Sequence, residues 1–307
     1  MEYMPRPGQQ GPQPEPFQQA QDSWQLREGP SSATFNVDIA ARSHSGNGAP
    51  AREDHYLVVR AKRSLEVGVS NLHEPLLPRR FDEIAYGMLI AAGMDGMPAA
   101  ELASAMAVCK LIELVVNTPD WNMIMNRRRV AVVMRRMRER FLRIDEALKQ
   151  RTEEEPELIG MSATLTAACS LGADLFVGHI GDSRAYLLHS DELHQLTRDH
   201  TLAQALIDAG IGEAENAVVR GMRRVLTGAL GTARLKVEPE VQRFRLCDGD
   251  QLLLCSNGIV DVVDEATIGS ILRGARAADE ACDALIEAAI SGGGDSVTVL
   301  LARYRFP

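Results

Sequence analysis

From about residue 34 onward the chain alternates apolar runs with polar breaks, and the period of each run names an element. HYLVVRA, just after Asp54, predicts a strand, and YGMLIAAGM a second apolar run that ends in glycine-rich sequence. AAELASAMAVCKLIELVV has helical spacing. A long helix is expected over roughly 121–150, where Val130, Val133, Met134, Met137, Phe141, Ile144 and Leu148 recur at steps of three and four. Beyond it the pattern turns to strands. ATLTAACSLG and DLFVGHIGDS are broken by Gly-Ala-Asp, and RAYLLHSDELHQLT predicts a hairpin about Ser190 and Asp191. TLAQALIDAG predicts a short helix capped by Gly210, KVEPEVQRFRL and DQLLLCS two strands, residues 278–290 an alanine-rich amphipathic helix, and DSVTVLLARYRF a closing strand. The stretch from about 62 to 85 separates two expected strands, exceeds a tight turn and reads as an insertion: a lid, a docking loop or filler. Strands in antiparallel-style runs with helices in separate blocks indicate an α+β fold, two sheets sandwiched between helices. No internal repeat is present.

Composition refines this picture in three ways. With 307 residues and 45% apolar content the chain can form one large domain, or one domain and a tail. Residues 1–33 are rich in Pro, Gln and Gly and cannot bury enough surface to offset their ordering entropy, so they are expected to be a disordered tail, with the domain over 34–307. The formal net charge of −9 argues against a nucleic-acid partner. No uncharged apolar stretch of about 20 residues predicts a membrane span, and no basic start with an apolar core predicts a signal peptide. The five cysteines form no Cys-x-x-Cys pair and sit among apolar residues, which points to small buried hydrophobes in a reducing compartment, and hence to the cytoplasm. Their spacing supports neither a zinc site nor a thiol nucleophile. The arginines interleaved along the long helix, among them Arg135, Arg136, Arg138 and Arg143, form a solvated face or a docking surface for acidic partners.

Candidate chemistry lies in acids at strand ends beside glycine: Asp54, Asp182, Asp261 and Asp295. Gly181 precedes Asp182, and Gly292, Gly293 and Gly294 precede Asp295. One such corner is an ordinary turn, but four spread over the chain suit a hard cation, Mg²⁺ or Mn²⁺. A pair of such ions can activate water and clamp a phosphoryl oxygen. LCSNGIVDVV, residues 254–263, departs from this scheme, because the neutral Asn257 stands at a strand end where a carboxylate is expected.

The succession GMSATLTAA, VGHIGDSRAYLL, LTRDHT, VLTGALGT, GDQLLLCSNGIVDVV and GGGDSVTVLLARY resembles the motifs of the PPM-type, metal-dependent protein serine/threonine phosphatases, the protein phosphatase 2C family, over about residues 43–304. The resemblance implies a four-layer α-β-β-α sandwich of two antiparallel sheets. It also implies a two-metal centre between the sheets, where a metal-bound water attacks phosphoserine or phosphothreonine. The family's Glu-Asp pair matches Glu53-Asp54. Its phosphate-binding arginine falls on Ala49, with Arg52 three steps away. Its bridging Asp and the Gly whose carbonyl follows fall on Ala92 and Gly93. Its Ser-Asp-Gly becomes Ser256-Asn257-Gly258, while Asp182, Asp261 and Asp295 keep their acids. A shorter loop would instead bring Asp95, in Asp95-Gly96-Met97, to the bridging position as a substitute ligand. On this reading metal binding is weakened, and the chain is a weak or inactive pseudophosphatase acting in phosphoprotein binding or regulation. The alternative is an active Mn²⁺- or Mg²⁺-dependent phosphatase with Asp95 and Arg52 standing in. Expected partners are phosphorylated proteins or a kinase or phosphatase of a signalling pathway, not nucleic acid and not membrane.

Overall fold

The computed structural model describes residues 35–45, 53–66, 80–94, 99–118, 127–211, 219, 221–232, 237–294 and 296–306. Residues 1–34, including the expected tail, lie outside them. In chain order the strands are β1 (Asn36–His44), β2 (Asp54–Glu66), β3 (Arg80–Gly93), β4 (Ala163–Leu171), β5 (Asp174–Ile180), β6 (Arg184–His189), β7 (Glu192–Gln195), β8 (Glu240–Arg245), β9 (Gln251–Cys255) and β10 (Val297–Arg305). The helices are α1 (Ala100–Val116), α2 (Arg127–Glu154), α3 (Leu202–Asp208), α4 (Asn257–Val260), α5 (Glu265–Gly274) and α6 (Ala278–Ser291). Two five-stranded sheets form, ordered β1-β10-β9-β6-β7 and β2-β3-β4-β5-β8, with every pairing antiparallel.

The period-two side-chain alternation of the strands divides the interior into three apolar layers. Leu252 and Leu254 of β9, Leu300 and Ala302 of β10, Met88 and Ile90 of β3, and Leu175 and Val177 of β5 meet between the sheets. The alternate residues turn outward. Leu253 and Leu301 pack under Ile268, Leu272 and Leu285 of α5 and α6. Leu89, Leu165 and Phe176 pack under Met137, Phe141, Ile144 and Leu148 of α2. Both faces of the central strands are therefore apolar, which is why DQLLLC and DLFV read as unbroken runs. The result is the four-layer α-β-β-α sandwich.

Several expectations need correction. The expected insertion at 62–85 has strand at both ends: β2 runs to Glu66 and β3 starts at Arg80, with Glu66 opposite Arg80. Residues 67–79, on which the lid, docking-loop or filler reading falls, lie outside the described part. β1 and α5 are not among the expected elements, although Phe35, Val37, Ile39 and Ala41 alternate onto one face and α5 buries Ile268 and Leu272. β1 is set by its register on β10, from Asn36 opposite Arg305 to His44 opposite Val297. α5 starts where Asp264 accepts a hydrogen bond from the Thr267 amide (2.7 Å). Cys255 and Cys282 are buried, but Cys109 is exposed and Cys169 and Cys247 are half-buried, because their elements expose part of that face. All five are free thiols.

Two local expectations match the structure. The β6–β7 hairpin turns through Ser190 (φ 49°) and Asp191 (φ 67°), the paired left-handed conformation that matches the strand twist. α3 ends in a Schellman motif: Gly210 (φ 68°) donates to the Ile207 carbonyl and Ile211 to that of Leu206. Among the described residues, no helix is long and apolar enough to cross a membrane.

Candidate metal centre

The sheets bring several chain-distant strand ends together. Asp54 opens β2 and is buried (7% exposed), and the register sets it directly across from Ala92 near the end of β3. The position facing Asp54 thus carries a methyl group. Gly93 follows, its amide donating to the Glu53 carbonyl (2.9 Å). A Cβ at residue 93 would lie 2.3 Å from the Ala100 carbonyl oxygen, so the start of α1 can pass this close only over glycine.

Asp182 stands in the turn between β5 and β6. Gly181 makes that turn at φ 118°, and a Cβ there would meet Thr164 Cβ at 2.3 Å. The turn is pinned from the outside. The His200 amide donates to the Gly181 carbonyl (2.7 Å), and the Gly181 amide donates to His200 Nδ1 (3.3 Å). His179 Nε2 also donates to the Gly181 carbonyl (3.0 Å), which leaves His179 Nδ1 to accept from the Thr166 hydroxyl (2.8 Å). Burial, reinforced by the neighbouring His200, depresses the His179 pKa to about 3, so the ring is neutral. Gly181→Ala is expected to lose about 2–4 kcal/mol of stability through strain and overpacking, read by urea denaturation. A loss below about 0.5 kcal/mol would mean that the turn has room to relax.

Asn257 opens α4 and donates from Nδ2 to Asp182 Oδ2 (3.2 Å). Asp261 closes the same helix, and Arg224 Nη2 lies 3.5 Å from Asp261 Oδ2. Burial, then the negative charges of Asp199 and Asp261, push the Asp182 carboxyl up to about 7, with the Asn257 hydrogen bond working in the opposite direction. Behind Asp182, Arg184 grips Asp199 with two bonds, Nε to Oδ1 (2.8 Å) and Nη2 to Oδ2 (2.7 Å), and its Nη1 donates to the Tyr186 hydroxyl (2.8 Å).

Of the acids singled out in the sequence, Asp182 and Asp261 share one electrostatic neighbourhood, and Asp54 lies at the β2–β3 end beside Ala92. Ala49, Arg52, Asp95 and Asp295 lie outside the described residues. Asp54, Asp182 and Asp261 do not converge as a ligand trio: among the described residues, only His189, Cys247 and Asp250 bring ligand atoms within 4.8 Å of one another. As a donor set for divalent ions, Asp182 and Asp261 fit one oxygen-liganded cation. At the two positions where the family resemblance places further acids, residue 92 offers a methyl and residue 257 an amide. Arg224 and the Arg184–Asp199 clamp went unnoticed in the sequence. GDSR and LTRDHT contain the clamp, but only the fold shows that they meet.

The family model described as "Protein phosphatase 2C" matches residues 109–297, a span that begins after Ala92 and Gly93. The serine/threonine protein phosphatase PstP of Mycobacterium tuberculosis (strain H37Rv) is 36% identical over 216 residues, 70% of this chain and 40% of that protein. The chain therefore spans about two fifths of the length of that relative. The serine/threonine phosphatase stp of Listeria innocua is 33% identical over 216 residues, 70% of this chain and 82% of its own length. A crystal structure of the catalytic domain of PstP in complex with two manganese ions superposes with a TM-score of 0.68 at 30% identity, covering 89% of this chain and 100% of that one.

Proposed function

Because the chain belongs to the protein phosphatase 2C family, we propose that it is a weak or inactive member, a pseudophosphatase that binds phosphorylated proteins in a regulatory role. The observation that carries this reading is the methyl of Ala92 directly across from Asp54. Two dications held about 3.5–4 Å apart repel by about 4 kcal/mol even at the dielectric constant of water. A carboxylate between them offsets that repulsion, and a methyl does not.

The acids that remain are already partnered by the chain's own donors. Asn257 places an N–H on Asp182, where a cation would need a lone pair, and Arg224 places a guanidinium beside Asp261. Mg²⁺ or Mn²⁺ is then bound weakly, and as one ion at Asp182 and Asp261. Arg52 is the nearest replacement for the arginine missing at Ala49. Phosphoproteins are the proposed partners, and the free thiols suit the cytoplasm.

A second reading, an active Mn²⁺-dependent phosphatase acting on phosphoserine and phosphothreonine, is favoured by the retained Asp54, Asp182, Asp261 and Asp295, with Asp95 replacing the lost bridge. The deciding experiment is hydrolysis of an aryl phosphate and a phosphothreonine peptide in millimolar Mn²⁺. The proposal expects turnover indistinguishable from that of an Asp182→Asn control, together with measurable binding of the phosphopeptide. Turnover that Asp182→Asn abolishes would refute it.

A further inference from the structure

At the other end of β6 from Asp182, three side chains of different chemistry converge. His189 is the last residue of β6, and Asp250 stands immediately before β9. The pairing of Leu188 with Gln251 carries His189 and Asp250 to facing positions, His189 Nδ1 2.8 Å from Asp250 Oδ1. Cys247 joins them through a turn. Its amide donates to Asp250 Oδ2 (2.8 Å), and the Asp250 amide lies 3.3 Å from the Cys247 carbonyl. One ligand atom of each residue lies within 4.8 Å of the other two. From Arg184 to His189 the strand spans about 17 Å at about 3.3 Å per residue, so the cluster is separate from the candidate metal centre.

We infer that His189, Cys247 and Asp250 form a zinc-binding site. A thiolate, an imidazole and a carboxylate are the ligand mixture that zinc accepts, whereas Mg²⁺ and Mn²⁺ select oxygen donors. Zinc–ligand distances of about 2.0–2.3 Å set tetrahedral ligand atoms about 3.5 Å apart, a spacing inside the 4.8 Å that encloses the three ligand atoms.

The backbone that carries the ligands is already fixed. Gly249 turns at φ 88°, its amide donates to the Tyr304 carbonyl (3.0 Å), and the Tyr304 amide returns a bond to the Asp250 carbonyl (2.8 Å). The Cys247 amide on Oδ2 orients the Asp250 carboxylate and leaves Oδ1 toward the site, the kind of outer support that ligating carboxylates receive. Asp250 is 2% exposed, while His189 and Cys247 are half-buried, so an ion enters from the surface and a water completes the shell. His189 ligates through Nε2 while Nδ1–H keeps its bond to Asp250 Oδ1, or the proton moves to Nε2 as that bond breaks; in either case binding releases the Cys247 thiol proton to solvent and transfers no electron. The bound ion ties the β6–β7 hairpin to the β8–β9 turn. Cysteine spacing along the chain gives no sign of this site, because sheet register assembles it from residues 61 positions apart.

The test uses the whole chain and two probes, Zn²⁺ and Co²⁺. One zinc per chain is expected to survive dialysis, with a rise in Tm on zinc addition. Co²⁺ is expected to give the near-ultraviolet absorption of a thiolate ligand. Cys247→Ser, which preserves the turn, is expected to abolish that absorption and weaken zinc binding at least 10-fold, and His189→Asn to weaken it similarly. Asp182→Asn, which touches no thiolate, is expected to leave the cobalt band unchanged. Absence of retained zinc together with absence of the cobalt band would overturn the inference. So would a band that persists in Cys247→Ser, which would assign it to another thiol such as the exposed Cys109.

Discussion

The Ala92→Asp, Asn257→Asp double variant is expected to hydrolyse an aryl phosphate in millimolar Mn²⁺ at least about 100-fold faster than the parent chain, a gain of about 2.7 kcal/mol in transition-state stabilisation. The first substitution places a carboxylate across from Asp54, where the register now sets a methyl. The second removes the N–H that occupies Asp182 Oδ2 and adds a second negative charge beside it. Either change alone is expected to recover only a small part of the gain, because ligands of one catalytic unit act together. The same charges are unfavourable without metal. Burial and the fields of Asp199 and Asp261 already hold the Asp182 carboxyl near 7, so the metal-free double variant is expected to melt below the parent chain and to regain the difference with Mn²⁺. Steady-state kinetics against Mn²⁺ concentration, paired with thermal melts, read both effects. Two manganese ions bound with no rise in rate would refute the proposal that the deficit lies at residues 92 and 257.

Arg184→Ala is expected to lose about 3–5 kcal/mol of stability, the loss associated with stranding one partner of a buried ion pair. The Arg184 and Asp199 side chains are 15% and 10% exposed, and their two bonds are short and parallel. Without the guanidinium, the Asp199 carboxylate remains buried close to Asp182, and the Tyr186 hydroxyl loses its donor. Arg184→Lys is expected to recover less than half of the loss, since an ammonium cannot grip both oxygens. The Arg184→Ala, Asp199→Ala double variant is expected to be more stable than Arg184→Ala alone, because it strands no charge. Urea denaturation of the three variants measures the coupling. A loss under about 1 kcal/mol for Arg184→Ala would class the pair with solvent-screened surface bridges.

The layering was legible in the chain because alternation is a local property. Leu252 and Leu254 face one way and Leu253 the other, whatever the rest of the protein does. The same holds for α2, whose buried stripe of Met137, Phe141, Ile144 and Leu148 needs only the helical period. β1 was harder to read: Val37, Ile39 and Ala41 alternate toward the inter-sheet core, but the run is short, and its pairing is set by β10. The strand ends at 62–66 and 80–85 escaped for a related reason, since Lys62, Arg63 and Glu66 look like loop residues until register pairs them with Ile84, Glu83 and Arg80.

By itself the sequence determined the two-sheet, helix-flanked fold and the glycine turn that carries Asp182, which follow from residue type and near-neighbour spacing; Ala92 and Asn257 stand out only against the motifs that the chain resembles. Only the tertiary structure decided that Ala92 faces Asp54, that Asn257 donates to Asp182 across 75 residues, and that His189 reaches Asp250 across 61. These meetings depend on strand register. Register is fixed by the sum of apolar contacts over a whole sheet, and no short stretch of chain contains that sum.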